Sequence, residues 1–85
     1  MNYKLVYTYR AGKDIQGLDR TIKNRIGKTL LRYKDDPFRH AERRIDSRFG
    51  TYRFRIGDYR IIFDIEGTNI VILRVGHRKE VYRRK

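Results

Sequence analysis

Tyr52-Arg53-Phe54-Arg55-Ile56-Gly57-Asp58-Tyr59-Arg60 decides how the rest of this chain is read. Apolar and charged side chains alternate on both sides of a Gly-Asp pair, and a period of two marks strands with one buried face. A two-residue loop with glycine first suits a type II′ hairpin turn. Taking Gly57-Asp58 as that loop sets the register: Ile56 opposes Tyr59, Arg55 opposes Arg60, Phe54 opposes Ile61 and Tyr52 opposes Phe63. One face of the hairpin is then wholly apolar or aromatic. The other carries Arg53, Arg55 and Arg60, two of them directly across from each other. Like charges in that position destabilise a sheet. Folding gains nothing from the arrangement, whereas a polyanion seated there would give it a purpose.

Downstream, the apolar face continues. Gly67-Thr68-Asn69 reads as a three-residue turn with Asn69 in a left-handed conformation. That loop pairs Ile65 with Val71, Phe63 with Leu73 and Ile61 with Val75, and sets Arg74 opposite Ile62 on the charged face. Upstream, residues 3–8 read as a first strand. Tyr7, Ala11, Ile15 and Leu18 recur at helical spacing, weakened by Gly12 and Gly17. A stronger helix runs from Arg20 to about Asp35, with Ile22, Ile26, Leu30 and Tyr33 on one face. Asp19 or Thr21 caps its start, and Pro37 ends it by disfavouring helix at Asp36. Residues 38–50 read as an irregular basic loop anchored by Ile45 and Phe49, and the tail after Gly76 as a helical turn. The expected fold is α+β: an N-terminal strand, two helices, then a three-stranded antiparallel meander. Together they form one sheet with the helices on one face, and residues 1–85 make a single domain. The face bearing Arg53, Arg55, Arg60 and Arg74 is expected to stay open.

The composition points the same way. The chain has 22 Lys and Arg against 10 Asp and Glu, a net charge of +12 on 85 residues. That much like charge costs self-repulsion, which a nucleic acid or an acidic protein relieves. A 39% hydrophobic content with seven Tyr and four Phe suffices for one small core. There is no Cys, so disulfides and thiolate metal sites are out of reach. No apolar run approaches the roughly 20 residues of a membrane span. The alternation at the N-terminus is unlike a signal peptide, so a cytoplasmic location is expected.

Arginine presents a planar fork of donors that fits phosphate oxygens in pairs. Alternate residues of a strand stand about 7 Å apart on one face, near the step between phosphates in an extended single strand. RNA brings its own nucleophile, the 2′-hydroxyl. Cleavage then needs a base, an acid and cations to stabilise the phosphorane. The chain has two histidines, His40 and His77, and no carboxylate cluster for a two-metal site. The expectation is therefore chemistry without metal or cofactor, resting on arginine, tyrosine, and His77 or Glu80. Arginine stays charged, so it stabilises charge rather than moving protons. Tyr82 transfers a proton if nearby cations lower its pKa.

These residues resemble the RelE/ParE superfamily of toxin–antitoxin toxins. The hairpin Tyr-Arg-Phe-Arg-Ile-Gly-Asp-Tyr-Arg at 52–60, followed by Val75-Gly76-His77-Arg78-Lys79-Glu80-Val81-Tyr82, is similar to the RelE branch over nearly the whole chain. The resemblance implies a microbial ribonuclease-like fold and a toxin that enters the ribosomal A site. There it cuts messenger RNA by 2′-hydroxyl attack, leaving a cyclic phosphate and a 5′-hydroxyl. It implies a catalytic set of Arg53, Arg55, Arg60, Arg78 and Tyr82. In that set Arg60 and Arg78 stabilise the phosphorane, and Tyr82 stacks on a base or helps proton transfer. Further RNA contacts fall to Arg74, His77, Lys79, Arg83 and Arg84. Arg53 and Arg55 stand where some members carry lysine, so the resemblance leaves the general base unassigned. The implied partners are a RelB-like antitoxin, the ribosome and its messenger. Two other readings share the fold: a ParE-like inhibitor of DNA gyrase, and a non-catalytic RNA-binding module.

Overall fold

The computed structural model describes residues 2–43 and 51–82. Its elements in chain order are β1 (Lys4–Tyr7), α1 (Tyr9–Gln16), α2 (Arg20–Tyr33), α3 (Pro37–His40), β2 (Glu42–Arg43), β3 (Tyr52–Ile56), β4 (Tyr59–Glu66) and β5 (Asn69–His77). The strands form one mixed sheet in the order β1-β5-β4-β3-β2. β1 runs parallel to β5, and the other pairs are antiparallel.

Local chemistry explains the boundaries. Thr8 caps α1 by accepting from the Ala11 N–H, and Asp19 caps α2 by accepting from the Thr21 N–H, each satisfying an orphan donor of the first turn. Pro37 opens α3 at its first position, where a missing N–H costs nothing. The expected irregular stretch from 38 is therefore corrected: Phe38, Arg39 and His40 continue this short helix, and Glu42 and Arg43 pair with β3 as an edge strand. Ile45 and Phe49 lie outside the described residues.

The β3–β4 hairpin has the register read from the sequence at every pair, with Gly57 at φ +59 opening the two-residue loop. The β4–β5 hairpin does not follow the expected one. Its loop is the two residues Gly67-Thr68, with Gly67 at φ +62, so Glu66 pairs with Asn69, Ile65 with Ile70 and Phe63 with Ile72. A bulge then inserts Leu73, and the ladder resumes with Ile62 opposite Arg74 and Ile61 opposite Val75. One residue fewer in the turn and one extra in the strand cancel, so the pairs beyond the bulge are those expected and the inner ones are not. Between turn and bulge this keeps Ile70 and Ile72, both fully buried, on the core face.

The core lies between the sheet and the helices. Ala11 of α1 and Ile26 and Leu30 of α2 pack on Phe54, Ile56, Ile61, Phe63, Ile70, Ile72 and Val75. Phe54 and Phe63 stack at 4.3 Å, extended by Tyr52 on Phe63 at 5.6 Å and Tyr33 on Phe54 at 5.1 Å. Each large side chain so buried contributes roughly 1.5–3 kcal/mol. The opposite face is not fully open, which corrects the expectation. After β5 the chain turns at His77, whose carbonyl accepts from the Glu80 and Val81 N–H groups. Val81 comes back over the sheet, where a Cβ built on Gly76 would stand 3.4 Å from it. Val81 and Ile62 are buried there, and Arg60 with them at 6% exposure. Among the described residues no helix is long and apolar enough to cross a membrane.

Candidate functional site

The face away from the helices gathers cations from three elements. β3 supplies Arg53 and Arg55, central strand β4 supplies Arg60, and the turn after β5 supplies Arg78 and Tyr82. The register puts Arg55 directly across from Arg60. The returning tail brings the Tyr82 hydroxyl to 2.7 Å from Arg53 Nη1, which donates to it. Arg78 is anchored through its backbone N–H to the Asp58 carbonyl at 2.8 Å, and its exposed guanidinium stands 3.9 Å from the Asp58 carboxylate. The turn of the first hairpin thus holds the tail that completes the site.

Arg60 is the unusual member. Its Nη1 donates to the carbonyls of Gly57 and Tyr59, and among the described residues it forms no ion pair with a carboxylate. Burial, then the charges of Arg55 and Arg53, hold it below the usual arginine value, with a smaller push from Arg78 and an opposing effect of Tyr82. It remains charged at any ordinary pH. The folded state therefore holds this cation at a cost, which an anion placed among the arginines would relieve. Arg53 is shifted the other way, first by its hydrogen bond to Tyr82 and then by Glu42, against the effect of burial.

Glu42 is the residue that sequence reasoning missed. As the partner of Arg53 in the β2–β3 register, it accepts from Arg53 Nε at 2.9 Å and lies 3.6 Å from Arg55 Nη1. The Arg53 hydrogen bond, with help from Arg55, keeps its carboxyl below the usual glutamate value. The available signal was a single acid in the basic run 39–44; without a strand assigned there, nothing placed it in the site.

The remaining expected contacts fall around the edge. His77 meets Tyr59 edge to face at 5.5 Å, and its Nδ1 accepts from the Lys79 N–H. Lys79 is exposed on the turn. Arg74 does not join the cluster, because its Nε donates to Asp14 of α1 at 2.9 Å. Arg83 and Arg84 lie outside the described residues. Also among the described residues, no three His, Asp or Glu side chains come together as a metal site would require.

A family model described as the ParE toxin of type II toxin–antitoxin systems matches residues 5–82. The chain belongs to this toxin family. Within the wider RelE/ParE superfamily, it is 51% identical over 37 residues to the toxin RelG of Mycobacterium tuberculosis, covering 41% of this chain and 42% of RelG. It is 48% identical over 31 residues to the toxin RelE3 of Methanocaldococcus jannaschii, covering 36% of this chain and 35% of RelE3. The matched stretches thus span less than half the length of these curated relatives. In three dimensions, a chain of the toxin–antitoxin complex RelBE2 from Mycobacterium tuberculosis superposes with a TM-score of 0.83 at 28% identity, covering 92% of this chain and 100% of that one. The α+β fold of this ParE/RelE-type toxin is therefore shared along almost its whole length.

Proposed function

We propose that this toxin is a ribosome-dependent endoribonuclease that cuts messenger RNA in the A site and is held in check by a RelB-like antitoxin. The observation that carries the reading is Arg60: a buried guanidinium, bonded to backbone carbonyls, in the field of three further arginines and a tyrosine. A phosphate bound there meets donors already in place, and such preorganised charge acts most strongly where negative charge develops. Arg60 and Arg78 hold the phosphorane oxygens as the 2′-oxygen attacks phosphorus and the 5′-oxygen leaves.

Glu42 supplies what the arginines lack. Its carboxylate is ionised at neutral pH and stands among the phosphate-binding groups, so it takes the 2′-hydroxyl proton. A phosphate that draws Arg53 and Arg55 toward itself weakens the influence that lowers Glu42 and raises its basicity. Tyr82, placed by Arg53, returns a proton to the leaving 5′-oxygen. No step in this scheme calls on a metal or cofactor.

The antitoxin follows from family membership and from the net charge of +12, which suits an acidic partner as well as ribosomal RNA. Primer extension on a message translated by purified ribosomes tests the reading. Added protein should produce cuts inside the reading frame, and Glu42→Gln should slow them about 10²–10⁴-fold, the usual contribution of a positioned proton acceptor. Intact messages together with inhibited DNA supercoiling would replace this reading with the ParE-like one. Ribosome binding with a steep salt dependence and no cuts would leave an RNA-binding module.

A further inference from the structure

β1 pairs with β5 only over residues 69–72. Beyond it, from Leu73 to His77, the outer edge of β5 faces α1. Besides a 3.4 Å hydrogen bond from the Thr8 hydroxyl to the Leu73 carbonyl, that edge is held by one carboxylate: Asp14 Oδ2 accepts from the Val75 N–H and from Arg74 Nε, both at 2.9 Å. Arg10 Nε lies 3.5 Å from the other oxygen. Asp14 therefore fixes two guanidinium groups, and it does so on the wall of an open cleft of about 550 Å³ between α1 and the turn after β5. Lys13 adds a third cation to the wall, and no ion pair engages it among the described residues. Tyr59 and His77, in edge-to-face contact, provide aromatic surface beside them. The cleft shares Gly76 and Val81 with the cationic face, and Gly76 is the β5 residue paired with Arg60.

We infer that this cleft is a nucleotide subsite for single-stranded RNA. It holds the nucleotide next to the phosphate at Arg60, with the neighbouring phosphate on Arg10 and Lys13 and the base against Tyr59 and His77. Cations beside an aromatic surface form the pattern by which proteins hold unpaired bases and their backbone. An acidic peptide fits less well, because it could use the cations but has no base to lay against the aromatic surface of Tyr59 and His77. The assignment explains why Arg74, though on the charged face by register, is drawn off to α1: it orders the wall of the adjoining subsite. The adjacency rests on the reading of Arg60 as the phosphate site, but RNA binding in the cleft is measurable without any cleavage.

The test is fluorescence anisotropy of a labelled hexaribonucleotide on the purified protein across a salt series. Arg10→Ala with Lys13→Ala, both exposed on a helix, should raise Kd about tenfold and flatten the salt dependence by about 0.7 for each phosphate that is no longer neutralised. His77→Ala should weaken binding without changing that slope. A control pair on α2, Arg20→Ala with Lys28→Ala, should move Kd much less. Equal weakening by the cleft pair and the control pair would reduce the effect to diffuse surface charge and overturn the subsite. So would a labelled poly-glutamate peptide whose affinity falls as much as that of the RNA. If no protein cuts RNA yet the cleft pair alone weakens binding, the cleavage reading fails and the subsite stands. If the parent cuts and the cleft pair binds like the parent, the subsite fails and the cleavage reading stands.

Discussion

On the helix side of the β3–β4 hairpin, Phe54, Ile61 and Phe63 are fully buried, with the two rings stacked on each other. On the other side of the same strands, Arg53, Arg55 and Arg60 crowd together with Arg55 squarely across from Arg60. The strand period makes these two surfaces from alternate residues of one stretch, yet they stand in opposite relation to folding. The first is stabilised by every contact it makes. The second gathers like charges, buries one of them and lowers its pKa, so its order is imposed by the first. The helix-side core is the scaffold on which a repulsive, preorganised surface is displayed.

The comparison breaks most visibly if the scaffold is cut. Phe63→Ala removes a fully buried ring and should destabilise the protein by about 3–5 kcal/mol, read as a large drop in the denaturation midpoint. Activity would disappear only along with the fold. Arg60→Gln, one residue removed from the other face, should do the reverse. Cleavage should fall about 10²–10³-fold, as when one preorganised donor is deleted, while Tm stays near the parent's because a crowded charge has gone. A collapse of stability in Arg60→Gln would mean that this face contributes to folding after all.

Gly57→Ala tests the hinge between the two faces. Gly57 sits at φ +59, and a Cβ there would meet the Arg25 guanidinium at 2.9 Å. The flexible Arg25 can move aside, but the backbone conformation cannot change without altering the turn. A destabilisation of about 1–2 kcal/mol is expected, measurable by chemical denaturation. Because Asp58 in the same turn anchors Arg78, cleavage should fall by more than the stability change accounts for.

The smallest effect on stability concerns Glu42 and pH. Its folded pKa is lowered, so its contribution to stability is present above the ordinary glutamate value and is lost as pH falls through the folded value. The pair is partly exposed, so the contribution is below about 1 kcal/mol. Glu42→Gln should lower stability at pH 7 by that small amount and flatten the acid limb to match, so that the two proteins converge at low pH, while abolishing most cleavage. A stability profile identical to the parent's down to about pH 3, below the ordinary glutamate value, would show that Arg53 and Arg55 do not hold Glu42 in solution.

How much of this is legible in the sequence follows from what each residue's neighbours are. The β3–β4 hairpin can be read because its turn residues, alternation and pairings all agree, and local consistency of that kind specifies register. Helix α2 follows from the spacing of Ile22, Ile26, Leu30 and Tyr33 and the cap at Asp19, whereas the four residues of α3 are too few for such a pattern. The β4–β5 turn reads one residue too long because Asn69 is as good a turn residue as Gly67. Only the bulge at Leu73, a response to packing Ile70 and Ile72 inside, distinguishes the two loops. β2 has two residues, too few for any periodicity, and so Glu42 stays hidden. Val81 folds back onto Gly76, the residue paired with Arg60, a long-range event that the tail's charge-rich sequence does not announce.

The central claim is that the charged face, completed by the tail, cuts RNA rather than merely binding it. Its most direct test is primer extension on programmed ribosomes with purified parent protein and with the double variant Arg78→Ala, Tyr82→Phe. Both substitutions lie on the turn after β5 and leave the helix-side core untouched, so both proteins should melt alike. The account predicts cuts within the reading frame for the parent and none for the double variant. A double variant that cuts as well as the parent would contradict it.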